Sequence, residues 1–343
     1  MSGSHDVLDV LIVGAGPAGL AAAIAATRRG LAAIVVERGA LVNSIMKFPT
    51  DMVFFTTPEL LEIGGTPFVS PHEKPTRHEA LRYYRRVADA FALNVAVEEQ
   101  VQSVAKRSDG TFVVRSMPAP ESARGAGGGA VPAVVERQAR TVVMATGAYD
   151  VPNRLDVPGE DLPHVAHYYR EAHPYFRRRV LIVGGKNSAA ETALDLFRNG
   201  AHVTLVHRRA ALGESIKYWV KPDIENRIKE GSIDAHFDMH VTDITPVDVG
   251  LDGPAGRWRL PVDAVLLLTG YRSDITVLRS AGAVINEDTL APVCNPETFE
   301  TTVPGLFLAG AVIAGRESGR IFIENGRFHG QTVIDEIAKR LGR

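Results

Sequence analysis

Between an apolar run of strand length, Leu8 to Val13, and an alanine-rich segment, Leu20 to Arg29, the chain reads Gly14, Ala15, Gly16, Pro17, Ala18, Gly19. No other feature narrows the fold as far. A strand that turns at once into a helix through three such glycines specifies a βαβ nucleotide fold. Gly14 permits the tight turn, Gly16 lets a pyrophosphate approach the backbone, and Gly19 lets the helix pack close. Gly30 stops the helix and Ala32 to Val36 forms the next strand. Its end carries Glu37, where a carboxylate can accept hydrogen bonds from ribose hydroxyls, followed by Arg38. Pro17, Ala18, Glu37 and Arg38 are assigned with the three glycines to a cofactor site.

The pattern returns. Val180 to Val183 reads as a strand, Ala189 to Arg198 as a helix ended by Asn199 and Gly200, and His202 to Val206 as the following strand. The intervening turn, Gly184, Gly185, Lys186, Asn187, Ser188, places lysine where the middle glycine belongs. That side chain hinders backbone approach, but its ammonium can itself pair with phosphate. His207, Arg208 and Arg209 replace the acidic residue after the second strand. Arginine there favours a 2′-phosphate, which points to NADPH over NADH. Strands that are apolar without alternation imply parallel sheets covered on both faces, so the fold class is α/β with two Rossmann-like domains.

Two such folds in one chain point to an electron relay, with a flavin on the first and a nicotinamide on the second. Thr141 to Gly147, TVVMATG, adds a strand whose end places Thr146 and Gly147 beside the flavin. Thr302 to Gly310, TVPGLFLAG, reads as the strand and turn that close over the ribityl chain, with Gly310 and Ala311 at the turn. The proline-rich stretch Asp150 to Pro163 and the segment Ala291 to Pro296 read as crossings. The expected domains are therefore residues 1–155 with 292–343 for FAD and 156–291 for NADPH. Met117 to Pro132, rich in Gly, Ala and Pro, reads as a surface loop in a hairpin.

Composition removes other classes. The 343 residues carry 38 basic and 40 acidic side chains, a net charge of −2, without the positive field that nucleic-acid binding needs. Val10 to Thr27 is uncharged, but its glycines and alanines suit strand, turn and helix better than a membrane span. The N-terminus lacks the basic region of a secretory signal, so a cytoplasmic location is expected. Cys294 is the sole cysteine, which excludes a disulfide framework, a CxxC pair and a cysteine-rich metal site within one chain. No metal site is expected, since His164, His167 and His173 are irregularly spaced. No catalytic side chain is assigned, because hydride chemistry belongs to the cofactors.

The residues GAGPAG at Gly14, ATG at Ala145, VPGE at Val157, GGKNSAAE at Gly184, HRR at His207 and PGLFLAG at Pro304 make the chain resemble the thioredoxin-reductase-like pyridine nucleotide-disulfide oxidoreductases across nearly its whole length. Where thioredoxin reductases carry CxxC this chain has HYYREAHPYF, His167 to Phe176, which removes a dithiol relay. KFPTDMVFFTTPELLEIGG from Lys47, GGKNSA and IFIENGRFHG from Ile321 are most similar to the YpdA-type bacillithiol disulfide reductases. The resemblance implies FAD, NADPH, a small-molecule disulfide or related small redox acceptor, and a homo-oligomer, dimer or tetramer. It also implies a cysteine before the last glycine of the first motif, where this chain has Ala18, and it accounts for Ala311 in place of the usual aspartate. A ferredoxin or flavodoxin NADP reductase, docking an acidic carrier on Arg77, Arg82, Arg85 and Arg86, and a non-catalytic redox sensor are the alternatives. Phe54 and Phe55 stand to cover the flavin or pack in the core, and Arg316, Glu317, Arg320, Glu324 and Asn325 to line an acceptor pocket or a solvated helix start.

Overall fold

A computed structural model describes residues 7–119, 133–317 and 319–343. The chain forms two compact units, one comprising the chain up to Met46, Met52–Val151 and Tyr271–Arg343, the other Lys47–Asp51 and Pro152–Gly270.

The first unit opens with β1 (Leu8–Val13), α1 (Pro17–Arg28) and β2 (Ala33–Val36), the expected βαβ element. Every residue of α1 from Gly19 to Ala26 is buried, which explains its alanine: a helix covered on all sides needs small side chains. Short α2 (Asn43–Lys47) and α3 (Pro58–Leu61) lead to α4 (Arg77–Ala90). Thr76 and Glu79 cap α4 reciprocally, while Ala80, Tyr83, Tyr84, Val87 and Ala88 form its buried face. β3 (Val95–Ala96), β4 (Glu99–Lys106), β5 (Phe112–Pro118) and β6 (Val135–Met144) complete the sheet order β3-β2-β1-β6-β5-β4. β2, β1 and β6 run parallel, and β5 and β6 form the antiparallel hairpin. Most of the loop expected between those two strands lies outside the described residues. β7 (Val151–Pro152) ends the stretch.

The second unit is a separate α/β body. β8 (Val165–Ala166), β9 (Arg179–Val183), α5 (Asn187–Arg198), β10 (His202–Val206), α6 (Lys221–Lys229) and β11 (Asp234–His236) precede an antiparallel meander of β12 (His240–Ile244), β13 (Asp248–Gly253) and β14 (Gly256–Pro261). With β15 (Ala264–Leu267), the parallel sheet has the order β11-β10-β9-β15-β8.

β16 (Tyr271–Arg272), α7 (Thr276–Ser280), β17 (Leu306–Leu308), α8 (Ile323–Gly326) and α9 (His329–Arg340) follow. The return to the first unit comes earlier than the crossing expected at Ala291 to Pro296. Ile275, Leu278, Ala283, Ile285 and Leu290 are buried with Leu11, Val142 and Leu306 in one core. Apolar burial sets a domain border, whereas prolines mark only turns. Lys47–Asp51 also falls in the second unit, where the Thr50 N–H donates to the Arg170 carbonyl at 2.8 Å. β17 joins β6 in parallel beyond the end of β5, so β1, β6 and β17 bring their C-terminal ends together. No helix among the described residues is long and apolar enough to cross a membrane.

Candidate functional site

In an open parallel sheet, ligands bind beyond the carboxyl ends of the strands. In the first unit those ends are Val13, Met144 and Leu308, followed by the turns containing Gly14, Thr146 and Gly310. The glycines of the first turn have three different reasons to be glycine. Gly14 has φ +105°, and a Cβ there would lie 2.5 Å from the Ala145 carbonyl oxygen. A Cβ on Gly19 would lie 1.9 Å from the Gly14 oxygen, so this helix start seats directly on the turn. Gly16 is unconstrained by the described residues: a Cβ there would meet none of their atoms within 4 Å. Space is open on the side where a ligand would approach. Gly16 precedes α1 in extended conformation with no side-chain cap, Pro17 has no N–H, and Leu20 is bonded back to Gly16 at 2.9 Å. The amides of Ala18 and Gly19 are thus the ones left at the helix start to meet an anion.

Glu37 is buried at the end of β2, 7% exposed. Its two carboxylate oxygens accept the Ala15 and Gly39 amides, each at 2.8 Å. Each oxygen retains a lone pair for a further donor. Burial raises its pKa, helped by the Asp150 carboxylate, while the two amides and Arg38 oppose the rise. Arg38 pairs with Asp150 at 2.8 Å, so its guanidinium is committed to orienting this corner. Just beyond β6 the Thr146 hydroxyl is buried without a hydrogen-bond partner among the described residues. An orphaned hydroxyl beside an open glycine turn fits a bound polar group such as a flavin ribityl or phosphate oxygen. Gly147 has φ +72° and open space beside it. Gly310 has φ +76°, and a Cβ there would come within 2.7 Å of the Ala18 Cβ, so the closing turn touches the first turn of α1. Ala311 follows in a short 3-10 turn and offers no polar side chain.

The second unit repeats the arrangement with different chemistry. A Cβ on Gly184 would lie 2.5 Å from the Leu268 oxygen, as Gly14 meets Ala145. A Cβ on Gly185 would strike the His207 ring at 2.4 Å. Burial, followed by the charges of Arg209 and Arg208, lowers the pKa of His207, which favours the neutral ring. Lys186 and Ser188 are exposed at the start of α5. The Asn187 side chain is spent within the protein: it donates to the Ser215 carbonyl at 3.0 Å and accepts the Lys217 amide at 2.9 Å. With the Gly213 amide on the Gly185 carbonyl at 2.7 Å, these bonds fasten the segment 213–217 over the turn. Sequence reasoning missed this clamp, which joins residues far apart in the chain. Arg208 and Arg209 are exposed, and neither forms an ion pair with another described residue.

Other candidates are explained within the protein. Arg77 donates to the Ile45 and Met46 carbonyls, leaving Arg82, Arg85 and Arg86 as the exposed arginines of α4. Phe54 is buried, while Phe55 meets Phe322 edge-on at 5.6 Å. Arg320 pairs with Glu317, and Asn325 accepts the Phe322 amide. In the stretch 167–176, Tyr169 and Ala172 are buried, and Tyr169 donates to the Asp195 carboxylate. Cys294 is partly buried in the first unit's core, and burial pushes its thiol pKa up. A thiol held protonated is a poor nucleophile.

Comparison with known proteins agrees across the chain. The family model described as pyridine nucleotide-disulphide oxidoreductase matches residues 11–125 and 133–310. The chain is 40% identical over 334 residues to the bacilliredoxin reductase Bdr of Bacillus subtilis, covering 96% of this chain and 97% of that one. The structure of the bacillithiol disulfide reductase Bdr (YpdA) from Bacillus cereus superposes with a TM-score of 0.92 at 38% identity, covering 98% of this chain and 100% of that one. A thioredoxin reductase from Lactococcus lactis shares the fold, with a TM-score of 0.74 at 19% identity and coverage of 97% and 98%.

Proposed function

This chain belongs to the pyridine nucleotide-disulphide oxidoreductase family, and from that premise we propose that it uses NADPH and FAD to reduce the disulfide of a low-molecular-weight thiol. Membership makes it an NAD(P)H-dependent flavin oxidoreductase. The observation that carries the finer reading is the contrast between the two strand ends: the buried Glu37 carboxylate in one unit and, in the other, the exposed Arg208 and Arg209 without an ion pair among the described residues.

Bound FAD and NADPH supply the hydride chemistry. The chain's own residues bind and orient. In the first unit the Ala18 and Gly19 amides would hold a pyrophosphate at the open face of Gly16, Glu37 would accept hydrogen bonds from ribose hydroxyls, and the Thr146 hydroxyl would gain a partner. Gly147, Gly310 and Ala311 form the remaining wall. In the second unit Lys186 and the α5 amides, Ser188 among them, would hold phosphate, His207 packs over Gly185, and the two arginines would hold the 2′-phosphate. With Cys294 alone, the chain cannot form an internal disulfide, so the acceptor is reduced without a protein dithiol.

Cys294→Ala should therefore keep steady-state turnover within about threefold, a barrier change of about 0.7 kcal/mol or less. A hundredfold loss at matched flavin content would restore a thiol mechanism. The function itself is tested by NADPH-driven turnover of the flavoprotein on bacillithiol disulfide, CoA disulfide, ferredoxin, flavodoxin and quinones. Turnover on a small disulfide is expected. Turnover confined to ferredoxin or flavodoxin would make the chain a carrier reductase, and flavin bleaching without turnover on any acceptor would make it a sensor.

A further inference from the structure

We infer that His329 is a positioning residue of the flavin site, its Nδ1 accepting the Gly310 N–H and so holding the closing turn in the shape a bound flavin requires. The inference rests on the flavin reading above. The Gly310 amide lies 3.2 Å from Nδ1. Gly310 stands at φ +76° against Ala18, so the turn borders the helix start that would meet the pyrophosphate. A backbone amide at such a place needs an acceptor, and the Ala311 side chain has none to offer. His329 supplies it from the first residue of α9.

Two contacts fix where that imidazole stands. Its ring packs on Phe299 with centroids 4.4 Å apart and planes 30° apart. The next residue, Gly330, lets α9 lie directly on α1: a Cβ there would be 2.4 Å from the Ala22 nitrogen. The acceptor is thus indexed to the same helix that carries Ala18 and Gly19. An Nδ1 that accepts must be unprotonated, and burial lowers the pKa of this histidine, consistent with the neutral ring. Protonation would set N–H against N–H and release the turn.

The test compares His329→Leu, which removes the acceptor at similar volume, with His329→Asn, whose Oδ1 falls near the position of Nδ1. FAD affinity is measured by titrating stripped protein, alongside thermal unfolding of the same apoproteins. The leucine variant should bind FAD at least tenfold more weakly at an apoprotein midpoint within a few degrees of the parent, and the asparagine variant should recover to within about threefold. Leucine binding within threefold of the parent would overturn the inference while leaving the flavin reading intact. Equal loss in both variants with a lowered apoprotein midpoint would make His329 a packing residue instead. Should the leucine chain fail to fold, His329→Gln, whose oxygen is displaced from the Nδ1 position, replaces it: weak binding beside a tight asparagine variant supports the role, and equal binding overturns it. A parent protein that binds no FAD would overturn the flavin reading, and this inference with it.

Discussion

Gly16→Val should fold and melt like the parent yet lose its flavin, with FAD binding weakened at least a hundredfold, about 2.7 kcal/mol. The expectation follows from what surrounds this residue. Its backbone is extended at φ −73°, which a β-branched residue adopts readily, and a Cβ there meets no atom of the described residues within 4 Å. Valine is a poorer helix cap than glycine, at a cost of about 1 kcal/mol, which in a chain of this size moves the midpoint by about 4 °C or less. No described protein atom crowds that Cβ, so the space it would enter is open to a ligand. Gly19→Ala makes the control, because its methyl would stand 1.9 Å from the Gly14 carbonyl and must disturb the turn itself. That variant should lose both flavin and stability. A Gly16→Val protein that remains yellow, with parental affinity, would move the pyrophosphate away from this turn.

Replacing Arg208 and Arg209 together by alanine should collapse a preference for NADPH over NADH that is at least tenfold in the parent. Charge-assisted hydrogen bonds contribute about 1.5 to 3 kcal/mol each, and the exposure of both side chains argues for the lower end. Two such bonds at that end still exceed the roughly 1.4 kcal/mol that a tenfold preference requires. Neither guanidinium is tied to a carboxylate among the described residues, so their removal strands no buried partner and should leave NADH kinetics nearly unchanged. Stopped-flow flavin reduction with each nucleotide measures the ratio. An unchanged ratio in the double variant would place the 2′-phosphate elsewhere.

The local frame was legible because backbone constraints restrict which residues can occupy it. A strand turning into a helix at Gly14 needs a positive φ and close approach, and the close approach alone reappears at Gly184, where the Leu268 carbonyl stands as Ala145 does in the first unit. Contacts between distant segments were not legible. The His329 acceptor reaches Gly310 only because α9 docks on α1 through Gly330, and the Asn187 clamp exists only once the segment 213–217 folds back. The second crossing was misplaced for a related reason: its turn residues are visible in the sequence, but the burial of Ile275, Leu278 and Ile285 beside β1 is not. Glu37 was legible as a residue, whereas its raised pKa depends on burial and on Asp150, which a sequence does not place.

The most direct test of the whole account is an anaerobic half-reaction followed by its partner. Flavoprotein reduced with one equivalent of NADPH is mixed with bacillithiol disulfide while the flavin absorbance and free thiol are recorded together. NADPH and a proton deliver two electrons, cleaving one S–S bond to yield two thiols and NADP+. The account predicts that flavin absorbance returns at a rate set by disulfide concentration, with two thiols released for each flavin reoxidised, in the parent and in Cys294→Ala alike. A flavin that NADPH reduces but that stays reduced before every low-molecular-weight disulfide offered would contradict it.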